Sequence, residues 1–414
     1  MKFIPALAIL LFSVLLFAYR PAPPPAWGFF GHRKINHHAV FTLPPELIVF
    51  YKKHIDYVTE HAVDPDKRRY ATKHEAPRHY MDLDRYGKMP FPDLPRNWTD
   101  ALMQYAQYFF VHENRGDTLP LLTAPVMQHD SFVAFNPKLF KGTAPRVTRQ
   151  AFRQFFLRHI QPKYYEDSWP IETTALAALF DGQPLNCRSA FALDKFSEHG
   201  IVPYHLEHTL RRLSEAFAEK DVKKILRHSA DIGHYIADAH VPLHTTENYN
   251  GQLTGQDGIH AFWESRLPEL FAEDNYDFWV GRAELIERPA EYFWNIVLES
   301  HALVDSVLGI EMALRREFPT DRQLCNEMRG TTMVRTQCEE FAAAYSARLG
   351  GMVEARMRAS ILSVGSAWYT AWVMAGQPDL RKLDPAPIAV KDSSDIQLEK
   401  ALQEGRAKGR EHGD

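Results

Sequence analysis

The stretch from His205 to His244, HLEHTLRRLSEAFAEKDVKKILRHSADIGHYIADAHVPLH, limits the fold of this chain more than any other. Leu206, Leu210, Leu213, Phe217, Val222, Ile225 and Leu226 recur at helical spacing, which predicts amphipathic helix. Near the end of the stretch the apolar pattern is broken by His234 and Asp238, four residues apart and therefore on one helix face. Pro242 should end or bend the helix near Ala239 or His240, leaving His244 just beyond that end to turn back toward the same place. A histidine and an aspartate on an otherwise apolar helix are costly to bury unless they are paired or hold a metal.

Sixteen residues later comes GIHAFWES, in which His260 and Glu264 are again four apart on a predicted helix. The two pairs are joined by the Gly/Asn/Thr-rich loop TTENYNGQLTGQDG. Each pair offers nitrogen and oxygen donors suited to zinc or another divalent ion. Either pair alone reads as a structural histidine; both together, within 31 residues, point to metal. Upstream, HAVDPDKRRYATKHEAPRHYMDLD adds Asp64, Asp66, His74, His79, Asp82 and Asp84, and nothing physical in the sequence selects among them. By default this third cluster reads as an exposed polar loop, and its charge run Lys67–Arg68–Arg69 as a solvated one.

The 414 residues are 45% apolar and 24% charged, enough for a sizeable core in an ordinary globular protein. A net charge of -4 gives no general electrostatic case for nucleic acid or an anionic membrane, so such binding must come from a local patch or from bound metal. Histidine is unusually frequent, at 20. The three cysteines include no CxxC pair; Cys325 and Cys338 are close enough in sequence for a local disulfide, and Cys187 is left over. Met1 to Ala26 has the form of a secretory signal peptide: Lys2, an apolar run from Phe3 to Ala18, then PAPPPA. Cleavage after Ala26 would make Trp27 the mature N-terminus and the protein secreted or periplasmic; an uncleaved leader would act as a membrane anchor.

Beyond the leader the chain reads as all-α, with little strand-like alternation, no Gly-rich phosphate loop and no internal repeat. Residues 339–376 predict one or two helices with a break at Gly350–Gly351. The stretch of about 86–200, rich in proline and aromatic residues, reads as a loop-rich insertion holding some helices, among them TRQAFRQFFLRHI at 148–160, whose Arg149 and Arg153 read as a solvated face. A polar, flexible tail with a short exposed helix is predicted from about 377 to 414. His37–His38, His205 and His208 lack carboxylates at matching spacing and read as surface histidines.

The chain resembles the zinc-dependent phosphodiesterase superfamily, which joins single-strand nucleases of the S-one/P-one type with bacterial zinc-dependent phospholipases C. The resemblance rests on HxxxDxxxxxH followed by HxxxE (His234, Asp238, His244, His260, Glu264), on WGxxGH (Trp27, Gly28, Gly31, His32), and on His79-Tyr80-Met81-Asp82 with Asp64 fifteen residues before His79. It implies a multi-helix bundle over 27–376 around three zinc ions. One zinc would take Asp64, His79, His234 and Asp238, with Asp66 the alternative to Asp64. A second would take His244, His260 and Glu264. A third would take His32 and the free amine and carbonyl of Trp27, sharing Asp238 with the first. The residual charge of such ions lowers the pKa of bound water toward neutrality and stabilises charge on phosphorus oxygens. Asp64 and Asp238 become the catalytic candidates; Tyr80 would stack a base, Asp82 would meet a base edge, and Arg68 or its neighbours Lys67 and Arg69 would hold phosphate. Tyr249 and Asn250 would form the rim. The implied substrate is single-stranded nucleic acid, or phospholipid, because Glu264 and GIHxxWE are closer to the phospholipase branch; no stable protein partner is implied. The 86–200 insertion and the low cysteine count depart from the family pattern.

Overall fold

The computed structural model describes residues 29–126, 131–329, 332–383, 393–405 and 408. The leader, Trp27 and Gly28 lie outside the described residues. The chain is mostly helical, and its centre is built from four helices: α1 (Phe29–Ala39) and three that follow much later in the chain. Between them come α2 (Pro45–Lys53), α3 (Ile55–Glu60) and the short α4 (Asp64–Arg68). The long stretch read as amphipathic forms α8 (Val202–Glu219) and α9 (Val222–Ala239), which pack side by side. Lys220 adopts the left-handed conformation that closes α8, and the Asp221 side chain accepts from the Lys224 amide to cap α9. The helix ends at Ala239, three residues before Pro242, as the sequence predicts.

The fourth central helix is α15 (Met352–Met374), which packs on α1, α8 and α9. It is separated from α14 (Glu339–Leu349) by Gly350 and Gly351, both left-handed, at the predicted break. Trp368 of α15 is fully buried; its indole donates to the Ser229 carbonyl at 3.0 Å and stacks on Tyr51, with ring centroids 4.6 Å apart. Helices α1 and α9 approach very closely. Asn36 donates to the Ala230 carbonyl across that contact and to the Val58 carbonyl of α3, and a Cβ on Gly233 would lie 2.0 Å from the Asn36 Oδ1. Glycine at 233 is what allows α1 to lie against the turn that carries His234.

The insertion is more ordered than a loop-rich reading suggests, and it corrects the all-α expectation locally. After α5 (Trp98–Tyr105) it folds into a four-stranded antiparallel sheet in the order β2-β1-β6-β5, from β1 (Gln107–His112), β2 (Thr118–Pro120), β5 (Trp169–Ile171) and β6 (Cys187–Leu193). A small pair of strands, β3 (Phe132–Val133) and β4 (Val147–Thr148), stands beside α6 (Arg149–His159), and α7 (Thr173–Ala178) lies against β6. The strands escape sequence reading because both faces are apolar: Tyr108 and Phe110 are buried on one, while Phe109 stacks on Phe191 on the other, so QYFFVH shows no alternation. Helix α6 matches the predicted helix, capped by Thr148, with Arg153 paired to Asp100.

After α9 the chain forms α10 (Ile259–Ala261), a π-turn at Phe262–Arg266 and α11 (Leu267–Asn275). Then come α12 (Pro289–His301), α13 (Val304–Glu317) and a hairpin of β7 (Leu324–Arg329) and β8 (Thr332–Gln337). Cys325 and Cys338 form the disulfide at the hairpin base, and Cys187 is a free thiol. Arg266, in the π-turn, reaches Glu327 at 2.5 Å and the Gln337 carbonyl at 3.2 Å, tying the hairpin to that turn. The tail helix α16 (Ser393–Glu404) lies against α4, and the Lys408 amide donates to the Arg69 carbonyl, so this part of the tail is docked. Among the described residues no helix is long and apolar enough to cross a membrane.

The close approach of α1 and α9 generates a prediction. Gly233→Ala should lower unfolding free energy by about 1–3 kcal/mol, because the added methyl meets Asn36 and neither helix can yield freely. Gly309→Ala on α13, where an added Cβ meets nothing within 4 Å, is the matched control and should leave the denaturant midpoint unchanged or slightly raised.

Candidate metal centre

Seven elements deliver nitrogen and oxygen donors to one buried place at the end of α9. His234 and Asp238 lie one turn apart on that helix, at 0% and 1% exposure. His79 ends the 3-10 segment Ala76–His79, and His244 lies in the 3-10 turn Pro242–Thr245 that follows the helix. His260 and Glu264 come from α10 and the π-turn, His32 from the first turn of α1, and Asp66 from α4.

The donors form four overlapping groups, in each of which the ligand atoms lie within 4.8 Å of one another: His79–His234–Asp238, His244–His260–Glu264, His32–Asp238–Glu264 and His32–Asp66–His234. Asp238 Oδ2 is 2.9 Å from His79 Nδ1 and 3.2 Å from His234 Nε2; its Oδ1 is 3.4 Å from His32 Nε2 and 3.9 Å from His244 Nε2. Glu264 Oε2 is 2.8 Å from His260 Nε2 and 3.3 Å from His244 Nε2, and its Oε1 is 3.6 Å from His32 Nε2. Donors of a tetrahedral ion bound at about 2.0 Å stand about 3.3 Å apart, so the spacings fit zinc-like coordination. His234 Nε2 and His79 Nδ1 face each other at 3.1 Å beside the same carboxylate, an arrangement natural for two ligands of one ion.

The imidazoles are pre-set by their outer nitrogens. His234 Nδ1 donates to the Ala62 carbonyl at 2.8 Å, His244 Nδ1 to the His79 carbonyl at 2.6 Å and His260 Nδ1 to the Tyr249 carbonyl at 3.2 Å. Each bond leaves Nε2 as the inward donor, the usual device for fixing a ligating histidine. His79 is turned the other way: its Nδ1 faces Asp238, and its Nε2 lies 3.8 Å from Glu75. Glu75 is fully buried, hydrogen-bonded to the Tyr235 hydroxyl and paired with Arg68 at 3.3 Å and Arg78 at 2.8 Å. Burial pushes its pKa up, but the two guanidiniums outweigh this and keep it ionised. Sequence reading passed over Glu75, although Glu75 and His79 have the same four-residue spacing that marks His260 and Glu264.

Electrostatics point the same way. Burial raises the carboxyls of Asp238 and Glu264, yet the surrounding histidines more than offset it and hold both well below the usual carboxylate range. Burial lowers His234, but Asp238 and Asp66 overcome that and lift it to about 9. His32 is lowered to about 4, by burial first and then by His234. The cluster therefore concentrates negative charge that favours a cation; burial lowers His244 too, but Asp238 and Glu264 overcome that and raise it.

Several expectations are corrected. Asp64 does not face the centre: its Oδ2 meets His61 Nδ1 at 2.5 Å and its Oδ1 meets Lys67 Nζ at 3.0 Å, with Asp395 of the tail helix 3.6 Å from the same His61. Asp66 faces it instead, with Oδ1 3.8 Å from His79 Nδ1 and 3.7 Å from His234 Nε2. Residues two apart on a helix point in nearly opposite directions, so only one of the two can serve. Tyr80 is 4% exposed and donates to the Glu198 carbonyl, so it is a wall residue and offers no stacking face. Asp82 is equally buried, 4.0 Å from His199. Arg68 is held by Glu75, Asp231 and Tyr235 behind His79, whereas Arg69 approaches Asp66 at 3.8 Å. Of the rim residues, the Tyr249 carbonyl anchors His260 and Asn250 Oδ1 accepts from the Gly258 amide. Trp27 falls outside the described residues.

Two outcomes follow. Asp66→Asn should lower the bound metal per chain, measured by elemental mass spectrometry, while Asp64→Asn should retain the wild-type content. In chelated protein, stability should fall as pH rises from 6.5 through about 9, on the order of 3 kcal/mol, because the raised His234 contributes below its unfolded pKa and loses that contribution as it deprotonates. Zinc-loaded protein should show the opposite slope over that range, since metal competes with protons for the same nitrogens. Urea midpoints at several pH values, with and without chelator, measure both.

No model of a known protein family matches the chain, and no curated protein matches it.

Proposed function

We propose that the protein is an exported, zinc-dependent phosphodiester hydrolase, and that its substrate is single-stranded nucleic acid. The observation that carries this reading is the sharing of Asp238 and Glu264 between adjacent donor groups, in which His234, His244 and His260 are already oriented by backbone carbonyls. His79, His234, Asp238 and Asp66 would hold one zinc; His244, His260 and Glu264 a second; His32, joined by Trp27, a third beside Asp238. Such ions, when bound, supply an activated water at neutral pH and positive charge for the phosphorus oxygens.

The protein's own part is orientation. Asp238, held ionised and in contact with histidines from four elements, keeps the groups close enough to act on one phosphodiester. Glu264 performs the same service for the His244 and His260 side. Glu75 orients His79 from behind, and Arg69 places a guanidinium beside Asp66. The motif around His79 and His32 carries the choice of nucleic acid, and the leader carries the assignment to the exterior. A second reading, a phospholipase C acting on lipid headgroups, is favoured by the GIHxxWE context of Glu264 and by the burial of Tyr80, which removes one stacking surface.

Purified zinc-loaded protein incubated with single-stranded DNA, RNA or phosphatidylcholine vesicles decides between them. Cleavage of the nucleic acids is expected, falling roughly 100-fold or more in Asp238→Ala and on chelation. Hydrolysis of phosphatidylcholine alone would transfer the assignment to the second reading. Metal-loaded protein that cleaves none of the three, or an equally active Asp238→Ala variant, would sink both.

A further inference from the structure

The insertion does more than extend the bundle. Where it meets α8 it encloses a pocket of about 440 Å³, within the range of small-molecule sites. The inner wall comes from the helical body: Arg78, and His205 and Arg211 on α8. The facing wall comes from the insertion: Trp98 at the start of α5, and Gln161, Tyr164 and Tyr165 after α6. Trp98 and Tyr164 are half-buried against the core, and Tyr165 reaches outward from it. Trp98 and Tyr164 meet edge to face with centroids 5.4 Å apart, Tyr164 and Tyr165 at 5.0 Å, and Tyr165 is 63% exposed.

The charge of the lining selects among ligands. The lining holds two guanidiniums and one carboxylate, Glu207; Arg78 is already paired with Glu75 behind the wall, so Arg211 is the main positive charge offered to a ligand. His205 is kept neutral by burial and by Arg78. A metal cation is disfavoured by the guanidiniums, and so is a quaternary ammonium, although it could use the same rings. The pocket is far larger than a lone phosphate requires. What satisfies both walls is a flat aromatic group bearing an anion, because aromatic side chains stack on any base and arginine pairs with phosphate oxygens.

We infer that this pocket is a second ligand site, separate from the metal centre, that takes a nucleotide: its base against Trp98 and Tyr165, its phosphate toward Arg211 and Arg78. The nucleotide can be free or part of a strand; the chemistry recognised is the same. Arg78 also ties the pocket to the centre, since the guanidinium that lines it holds Glu75, the carboxylate behind His79. Binding here does not require that the centre cleave phosphodiesters.

The test is photolabelling of the full zinc-loaded chain with 8-azido-AMP, with adducts mapped by mass spectrometry. An adduct within Trp98–Thr99, Gln161–Tyr165 or Tyr204–Arg211 is expected, in wild type and Asp238→Ala alike, so the result stands apart from any loss of hydrolysis. Arg211→Glu, an exposed change, should cut this labelling at least tenfold with an unchanged melting temperature, and Tyr165→Ala should reduce it severalfold. Unlabelled AMP displacing the adduct assigns the site to free nucleotide. Displacement only by a single-stranded DNA 12-mer assigns it to a strand. Adducts confined to the metal centre, equal labelling of Arg211→Glu, or displacement by phosphocholine but by neither nucleotide ligand would overturn the proposal.

Discussion

A single carboxylate, Asp238, sits almost without exposure at the end of a largely buried helix, α9. An ionised group in that position is costly unless every side of it is answered. The answer comes from four histidines on different parts of the chain, and each must be brought in by a different piece of tertiary structure. His234 comes from the same helix, His79 from the 3-10 segment, His244 from the turn that Pro242 forces, and His32 from α1. The close α1–α9 approach at Gly233, the helix stop at Ala239 and the path of the 3-10 segment can all be understood as conditions for satisfying that one group.

A second layer holds the first in place, and it is mostly backbone. Three imidazoles lean on carbonyls of Ala62, His79 and Tyr249, none of which could be inferred from side-chain identity. His79 instead has Glu75 behind it at 3.8 Å, and the charge of Glu75 is maintained by Arg68 and Arg78. Buried ion pairs of this kind bring little stability by themselves, because desolvation offsets the attraction. Their effect is directional: they hold a ring at one angle. The π-turn at Phe262–Arg266 belongs to the same layer, since it carries Glu264 inward while Arg266 clamps the β7–β8 hairpin outside.

Much of this was legible in the sequence wherever the signal was local. The pairs His234/Asp238 and His260/Glu264, the stop near Pro242, the Gly350–Gly351 break and the α6 helix all follow from spacing along one helix, and all are found. What depended on orientation was less legible. Asp64 and Asp66 flank one proline and differ only in the direction they face, which α4 sets through its packing. Tyr80 reads as a stacking surface because it follows His79, a candidate ligand, yet its strand-like backbone turns it inward. The sheet in the insertion was hidden because its central strand is apolar on both faces. Glu75 carried a readable signal, the spacing to His79, that was passed over among the charges around it.

The donors of the centre span the chain from His32 to Glu264, and only the two four-residue pairs are neighbours in sequence. A pair on an isolated helix offers two points of attachment; His244 joins His260 and Glu264 by closing a loop of sixteen residues, but His79 reaches His234 and Asp238 only across a sequence separation of at least 155 residues. Affinity at this place is therefore a property of the finished architecture rather than of any segment. During folding the ion would be captured late, once α1, the 3-10 segment and α9 have met, and from then on it would act as a lock on contacts made far apart in the chain. Occupancy would thus report, in one number, whether distant parts of the polypeptide have found each other.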